Sequence, residues 1–193
     1  MTNRHVLWGL MLLAGAIAQS AWGQWPTSSE RDTRPALLLV GHGGPATDFP
    51  KLGEYFRLHG KNSEEAHKIE EEMARWPRTE ENDAYWAGFM QVVRAVEATQ
   101  AFASVQIAFN EMCAPTVEEG LEELARRNPK TIVVTSIMIT PGGVHSEKDI
   151  PLSISNFREK HPEIEVVYAW PYDPRLISSF LIDHVKKFAR AEE

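Results

Sequence analysis

Four short apolar runs, set apart by longer amphipathic stretches, organise this chain. Ala36 to Val40 is apolar without interruption and ends at Gly41, His42, Gly43, Gly44 and Pro45, the pattern of a strand buried on both faces that stops in a glycine loop. Ser104–Phe109, Thr131–Ile139 and Ile164–Ala169 are runs of the same kind. Helical periodicity fills the intervals. Ser63 followed by Glu64 and Glu65 starts one helix, with Ile69, Met73 and Trp76 on its apolar face before Pro77 ends it. A second helix runs from Asn82 to about Gln100 with Tyr85, Phe89, Val92 and Val96 on one face. Thr116 and Glu119 form a capping box for a third, whose buried stripe is Val117, Leu121 and Leu124. A fourth is expected after Pro151, and a last one from Arg175 with Leu181, Val185 and Phe188 aligned. Strands alternating with helices predict βαβ units: a single α/β domain with a parallel sheet of about four strands flanked by helices.

The first residues follow a different pattern. Arg4 stands in a short polar start, residues 6–18 are uncharged and mostly apolar, and Ala21 and Gly23 bracket Trp22. This is the layout of a secretory signal peptide, and the apolar run is too short to span a bilayer. Residues 1–23 are therefore expected to be cleaved, 24–34 to form a polar linker, and 35–193 to form the folded domain. The expected location is exported, periplasmic or extracellular, with no stable membrane span after cleavage.

Charge and cysteine content narrow the chemistry. With 20 Lys and Arg against 27 Asp and Glu, the formal charge is −7, and no basic cluster offers a footprint for a phosphate backbone, so nucleic acid is not an expected partner. The lone cysteine, Cys113, has no second thiol with which to build a disulfide or a structural zinc site. Any metal must then be held by histidine and carboxylate.

Ligands of open parallel sheets bind outside the carboxyl ends of the strands. His42 follows the first strand, Glu111 the second, and His145 lies in the loop 140–149 after the third. Two imidazoles and a carboxylate suit a first-row divalent ion such as Fe, Co, Ni or Zn. Gly43, Gly44, Gly142 and Gly143 would let backbone approach a flat ligand, and Ser146 joins them in the expected substrate-facing set. Asp149 reads equally as a helix cap or as a partner to His145. His59, His67, His161 and His184 sit in helical or turn patterns and are expected to face solvent. The chain has no Gly-x-Ser-x-Gly elbow, Walker A loop, His-Glu-x-x-His or Gly-x-Gly-x-x-Gly. The Gly-His-Gly-Gly stretch, without a nucleophile elbow, does not make an esterase.

Three segments together carry a resemblance: Leu37 to Gly43, Ala108 to Glu111 with Ala114 to Leu121 after it, and Gly142 to Pro151. They resemble the class II chelatases, in particular the small sirohydrochlorin cobaltochelatase type, CbiX-like. The resemblance implies a lyase-type metal insertion in cobalamin biosynthesis, with Co²⁺ as the leading substrate ion and Ni²⁺ or Fe²⁺ as others, and a tetrapyrrole as partner. It implies that His42 and His145 bind the metal and help take protons from the macrocycle, with Glu111 assisting. A neutral imidazole serves as both ligand and base near pH 7. Three departures stand out. Gly44 and Pro45 occupy a place where serine is common, the stretch from about Pro50 to Ala101 is longer than in the smallest members, and the expected export signal is foreign to cytoplasmic tetrapyrrole synthesis. The long stretch, with His59, His67, Trp76, Tyr85 and Trp86, would build a lid or wall, or else extra core. The rival reading is an exported protein that binds metal or tetrapyrrole without turnover. One such domain makes half of a two-lobed cleft, so a homodimer is expected.

Overall fold

Every residue of β1 (Ala36–Gly41) is buried, because strands lie on both sides of it and helices over both of its faces. The computed structural model describes residues 33–189; the expected signal peptide, and the linker up to residue 32, lie outside the described residues. After β1 come α1 (Leu52–Leu58), α2 (Glu64–Ala74), α3 (Ala84–Ala98), β2 (Ser104–Phe109), α4 (Val117–Ala125), β3 (Thr131–Ser136), a π-helical turn (His145–Asp149), α5 (Ile150–Lys160), β4 (Glu165–Tyr168) and α6 (Pro174–Ala189). The sheet order is β2-β1-β3-β4 and every pairing is parallel. Among the described residues, no helix is long and apolar enough to cross a membrane.

One face of the sheet is closed by α4 and α5. Leu121, Leu124, Ile150, Ile154 and Phe157 pack there on Leu38, Val40, Ala108, Ile132 and Val134. Both halves of the Thr116–Glu119 capping box form, and α4 comes so close to the sheet that a β-carbon on Gly120 would stand 2.7 Å from a Leu38 methyl and 3.1 Å from the Ile107 carbonyl oxygen. On the other face, Phe89 and Val93 of α3 pack on Leu39 and Phe109. A third cluster joins α1 and α2 through Phe49, Tyr55, Leu58, Ile69 and Met73.

The structure corrects several expectations. Helix α1 was not expected; Leu52, Tyr55 and Leu58 give it one apolar face, but no side chain caps its start. The buried stripe of α3 is Phe89 and Val93, while Val92 is exposed, so the apolar face is turned one residue from the expected one. Strand β3 stops at Ser136, whose Oγ accepts from the Met138 amide and diverts the chain. His161 does not face solvent. Its ring stacks on Phe157 at 4.5 Å, and Nε2 lies 3.0 Å from Glu122. Much of the long stretch 50–101 is core, with Trp76 half-buried against the α1–α2 cluster and Trp86 against that of α3. Helix α6 buries none of its residues.

Candidate active site

The β1–β2 pairing does not end with the strands. The Asn110 amide donates to the Gly41 carbonyl and the Glu111 amide to the His42 carbonyl, each at 3.0 Å, so the ladder runs on and sets Glu111 beside His42. The chain can turn there only because of Gly43. Its φ is +101°, and a β-carbon on it would lie 1.8 Å from the Glu111 carbonyl oxygen.

His145 arrives from the third strand by another route. Residues 145–149, expected as loop, form a π-helical turn that runs into α5, and the i, i+4 spacing sets Asp149 beside the His145 ring. Asp149 makes no cap bond. Its carboxylate lies 2.7 Å from His145 Nδ1, and the Asn110 side-chain amide lies 2.5 Å from the same nitrogen.

The three sequence-predicted residues thus converge. The imidazoles of His42 and His145 are 5.0 Å apart, edge to face. One Glu111 oxygen is 3.4 Å from His42 Nε2 and the other 3.9 Å from His145 Nε2. A single ligand atom from each of the three lies within 4.8 Å of the other two. Donors about 2.0–2.2 Å from one ion lie up to about 4.4 Å apart, so at most a few tenths of an ångström of closure would seat a divalent ion. Tautomers favour that use. Nδ1 of His42 lies 2.9 Å from the Gly43 carbonyl, which can only accept; Nδ1 of His145 lies between the Asn110 amide nitrogen and the Asp149 carboxylate, and the carboxylate, as the charged acceptor, is the stronger partner. Each Nδ1 therefore carries the proton, and each Nε2 keeps its lone pair toward Glu111. The three side chains are 42%, 27% and 26% exposed for His42, His145 and Glu111, leaving the cluster open on its outer side.

The glycines divide in two. Gly43 and Gly44 are buried beneath the site; only Gly43 serves close backbone approach, since a β-carbon on Gly44 would meet nothing nearer than 3.7 Å. Gly142 and Gly143 are exposed beside His145. Ser146, expected to face substrate, is 2% exposed; its carbonyl accepts from the Tyr168 hydroxyl.

Other residues of the site were not read from the sequence. The Tyr85 hydroxyl accepts the His42 backbone N–H at 2.6 Å, and burial raises the pKa of that phenol. Asn110 has no signal beyond standing next to Glu111. Arg78 follows the helix-ending Pro77 and reads as solvent-facing, yet its side chain is 6% exposed. Its guanidinium donates to the carbonyls of Gly44, Met73 and Met112 and pairs with buried Asp83 at 2.9 Å. It thereby ties the loop after β1 to the loop after β2. Cys113 lies beneath, buried, with its thiol pKa raised by that burial and its Sγ–H donating to the Gly44 carbonyl. From Glu111 a cleft of about 370 Å³ runs out between α2 and the start of α4, past Tyr55, His59, Glu70 and Arg75. The α1–α2 segment is thus a wall beside the site.

The chain is 29% identical over 119 residues to a sirohydrochlorin cobaltochelatase of Methanopyrus kandleri, covering 50% of this chain and 82% of that one. It is 26% identical over 84 residues to a sirohydrochlorin ferrochelatase of Priestia megaterium, covering 42% of this chain and only 31% of that longer protein. A cobalamin (vitamin B12) biosynthesis CbiX protein of Marinobacter aquaeolei VT8 shares the fold, with a TM-score of 0.50 at 16% identity over 83% of this chain and the whole of that one. The CbiX family model matches residues 79–185, which hold Glu111, His145 and Asp149 and make up more than half the sequence, and the chain belongs to that family.

Proposed function

We propose that this chain inserts a divalent metal ion into a sirohydrochlorin-type tetrapyrrole, with His42 and His145 taking up the ion and Glu111 assisting proton removal. The observation that carries the reading is the convergence of two imidazole Nε2 lone pairs and a carboxylate at the open carboxyl end of the sheet. The names of the relatives supply the substrate class: one is a cobaltochelatase and one a ferrochelatase, both for sirohydrochlorin.

The chemistry is a balanced exchange. A free-base ring loses two pyrrole protons and gains a dication, so two protons must leave as two or more metal–nitrogen bonds form. The cluster can hold the ion through His42 and His145 while the first ring nitrogen displaces water. Each imidazole that releases the ion regains a free Nε2 lone pair and can accept a pyrrole proton, and Glu111, between the two, can accept from either. Held geometry lowers the barrier by converting encounters into steps within one complex. The cleft beside Glu111 has room for a hydrated ion or one substituent arm, so the macrocycle lies over the open outer side, against the exposed loop at Gly142 and Gly143. Co²⁺ is the leading ion, with Ni²⁺ and Fe²⁺ as alternatives, since a His₂–carboxylate set follows the general affinity order and does not select among them.

The test is anaerobic incubation with sirohydrochlorin and each ion, following the change in ring absorbance. Product formed at a rate above the protein-free control, and lost in His42→Ala and His145→Ala, is expected. Metal binding without catalysed product formation would refute the insertion reading. Export is part of the same proposal, supported by Arg4, the apolar run and Ala21-Trp22-Gly23. Mass spectrometry of the protein from the periplasmic fraction should find Gln24 at the N-terminus, and an intact Met1 on cytoplasmic protein would refute it.

A further inference from the structure

Metal insertion imposes an order of events on the site. A divalent ion can reach the cluster of His42, Glu111 and His145 from the open outer side before the macrocycle arrives. The two pyrrole protons cannot leave that way. They come off only while the ring lies over that side, as do the last waters of the ion, so both need a second way out.

The cleft between α2 and the start of α4 offers one. It begins at Glu111 and encloses about 370 Å³, room for several waters at about 30 Å³ each. Tyr55, a buried residue, lines it. Burial first, and then the charges of Glu111 and Glu70, push that phenol up to about 12. The hydroxyl therefore stands in the field of both carboxylates and stays protonated near neutral pH, able to accept one proton as it donates another. Its ring lies 5.2 Å from that of His59. His59 Nδ1 is in turn 3.5 Å from a Glu70 oxygen, and these two side chains, 42% and 36% exposed, stand at the outer mouth. Facing a carboxylate, Nδ1 carries the proton and Nε2 keeps its lone pair. His59 is the one imidazole among the described lining residues, and imidazole is the side chain that takes up and gives back protons near pH 7. Glu70, Glu71, Glu111 and Glu119 line the cleft against Arg75 alone, which Glu119 engages at 2.9 Å. That field favours the passage of protons and turns away an anionic arm of the ring.

Taking the insertion reading as given, we propose that this cleft carries the displaced protons out, with Glu111 as the inner acceptor and His59, set against Glu70, as the group that releases them to solvent. For each proton, a pyrrole N–H bond breaks and an O–H bond forms on Glu111. The carboxylate is regenerated as the proton passes along water and the Tyr55 hydroxyl to His59 Nε2. The imidazolium, its charge balanced by Glu70, then loses the proton to bulk water. Two such transfers match the dication that the ring gains. His59 meets neither ring nor ion; it is a relay.

His59→Gln keeps a polar side chain at the mouth but removes the proton acceptor. Insertion by the full chain is followed anaerobically with saturating sirohydrochlorin and Co²⁺, in dilute buffer near pH 7. Turnover should fall about tenfold, short of the ~10²–10⁴ attached to a group that itself meets the reacting atoms, with KM for the ring and the Co²⁺ affinity unchanged. Adding 2,6-lutidine, a base of imidazole-like strength whose methyl groups keep it off metal ions, should restore the rate of His59→Gln and change that of the unaltered chain little. An unchanged rate in dilute buffer, or a loss that the added base does not restore, overturns the proposal and leaves the insertion reading standing. A weakened Co²⁺ affinity also overturns it, since His59 and Glu70 would then be a dock for the cation. Absence of catalysed insertion by the unaltered chain overturns the insertion reading, and this proposal with it.

Discussion

Replacing Arg78 by methionine keeps the length of the side chain but strands its partners. Asp83, whose side chain is 2% exposed, loses the cation paired with it at 2.9 Å, and the carbonyls of Gly44, Met73 and Met112 lose a charged donor. Removing one member of a buried ion pair costs about 3–5 kcal/mol, mostly for the charge left behind. The three carbonyls add to this, though not in full, because the loops relax toward water. A loss of about 4 kcal/mol is expected, a large part of the ~5–15 kcal/mol that holds a domain of this kind together. Urea unfolding followed by tryptophan fluorescence measures it. Arg78→Lys restores the charge without the planar fork and should lose less. Asp83→Asn added to Arg78→Met removes the stranded charge while leaving an N-cap for α3, and should regain at least about 1 kcal/mol. The site should suffer too, because Arg78 ties the loop of His42 to that of Glu111. Under conditions where Arg78→Met is still folded, Co²⁺ affinity should fall by about tenfold or more, in the range seen when groups supporting a metal ligand are removed. A stability loss under about 1 kcal/mol for Arg78→Met, or no recovery on adding Asp83→Asn, would refute the reasoning.

Asp149→Asn leaves His145 in place but replaces the charged acceptor that fixes its tautomer with a neutral amide that can also donate, and should weaken Co²⁺ binding by about 10–100-fold in calorimetry with thermal stability little changed. Gly43→Ala places a side chain at φ +101° and a β-carbon 1.8 Å from the Glu111 carbonyl oxygen, so about 3 kcal/mol or more of stability should be lost, measured by urea unfolding, together with metal binding. Burial raises the phenols of Tyr55 and Tyr168 to about 12, above the ordinary value near 10 that they regain on unfolding. Their contribution to stability is therefore complete below pH 10 and lost as pH rises toward 12, and absorbance at 295 nm should show Tyr55 and Tyr168 ionising late in the folded protein, with Tyr85 raised in the same direction.

The fold was largely legible because its core elements rest on local rules. An uninterrupted apolar run made β1, and a reciprocal Thr116–Glu119 cap began α4 at the expected residue. The same holds for His42, Glu111 and His145, since residues at the carboxyl ends of neighbouring parallel strands meet whenever the strands are adjacent. What escaped depends on long-range packing. Val92 and Val93 are equally apolar, and only the position of the sheet decides which is buried. Arg78 looks like any surface arginine, because its partners come from four separate segments. Apolar spacing in α6 was visible, but not that its own chain leaves it bare.

The π-helical turn that carries His145 sits on top of α5 without sharing its packing. The inward residues of α5 are Ile150, Ile154 and Phe157, whereas within 145–149 only Ser146 is buried. A deletion of one residue in this turn would swing His145 by about 100° around the helix axis and leave the core beneath it intact. Ligand direction and domain stability are therefore inherited through different residues. A length change at this single helix entrance would move His145 out of the cluster by itself, with His42 and Glu111 held in their fixed mutual register by the ladder between β1 and β2.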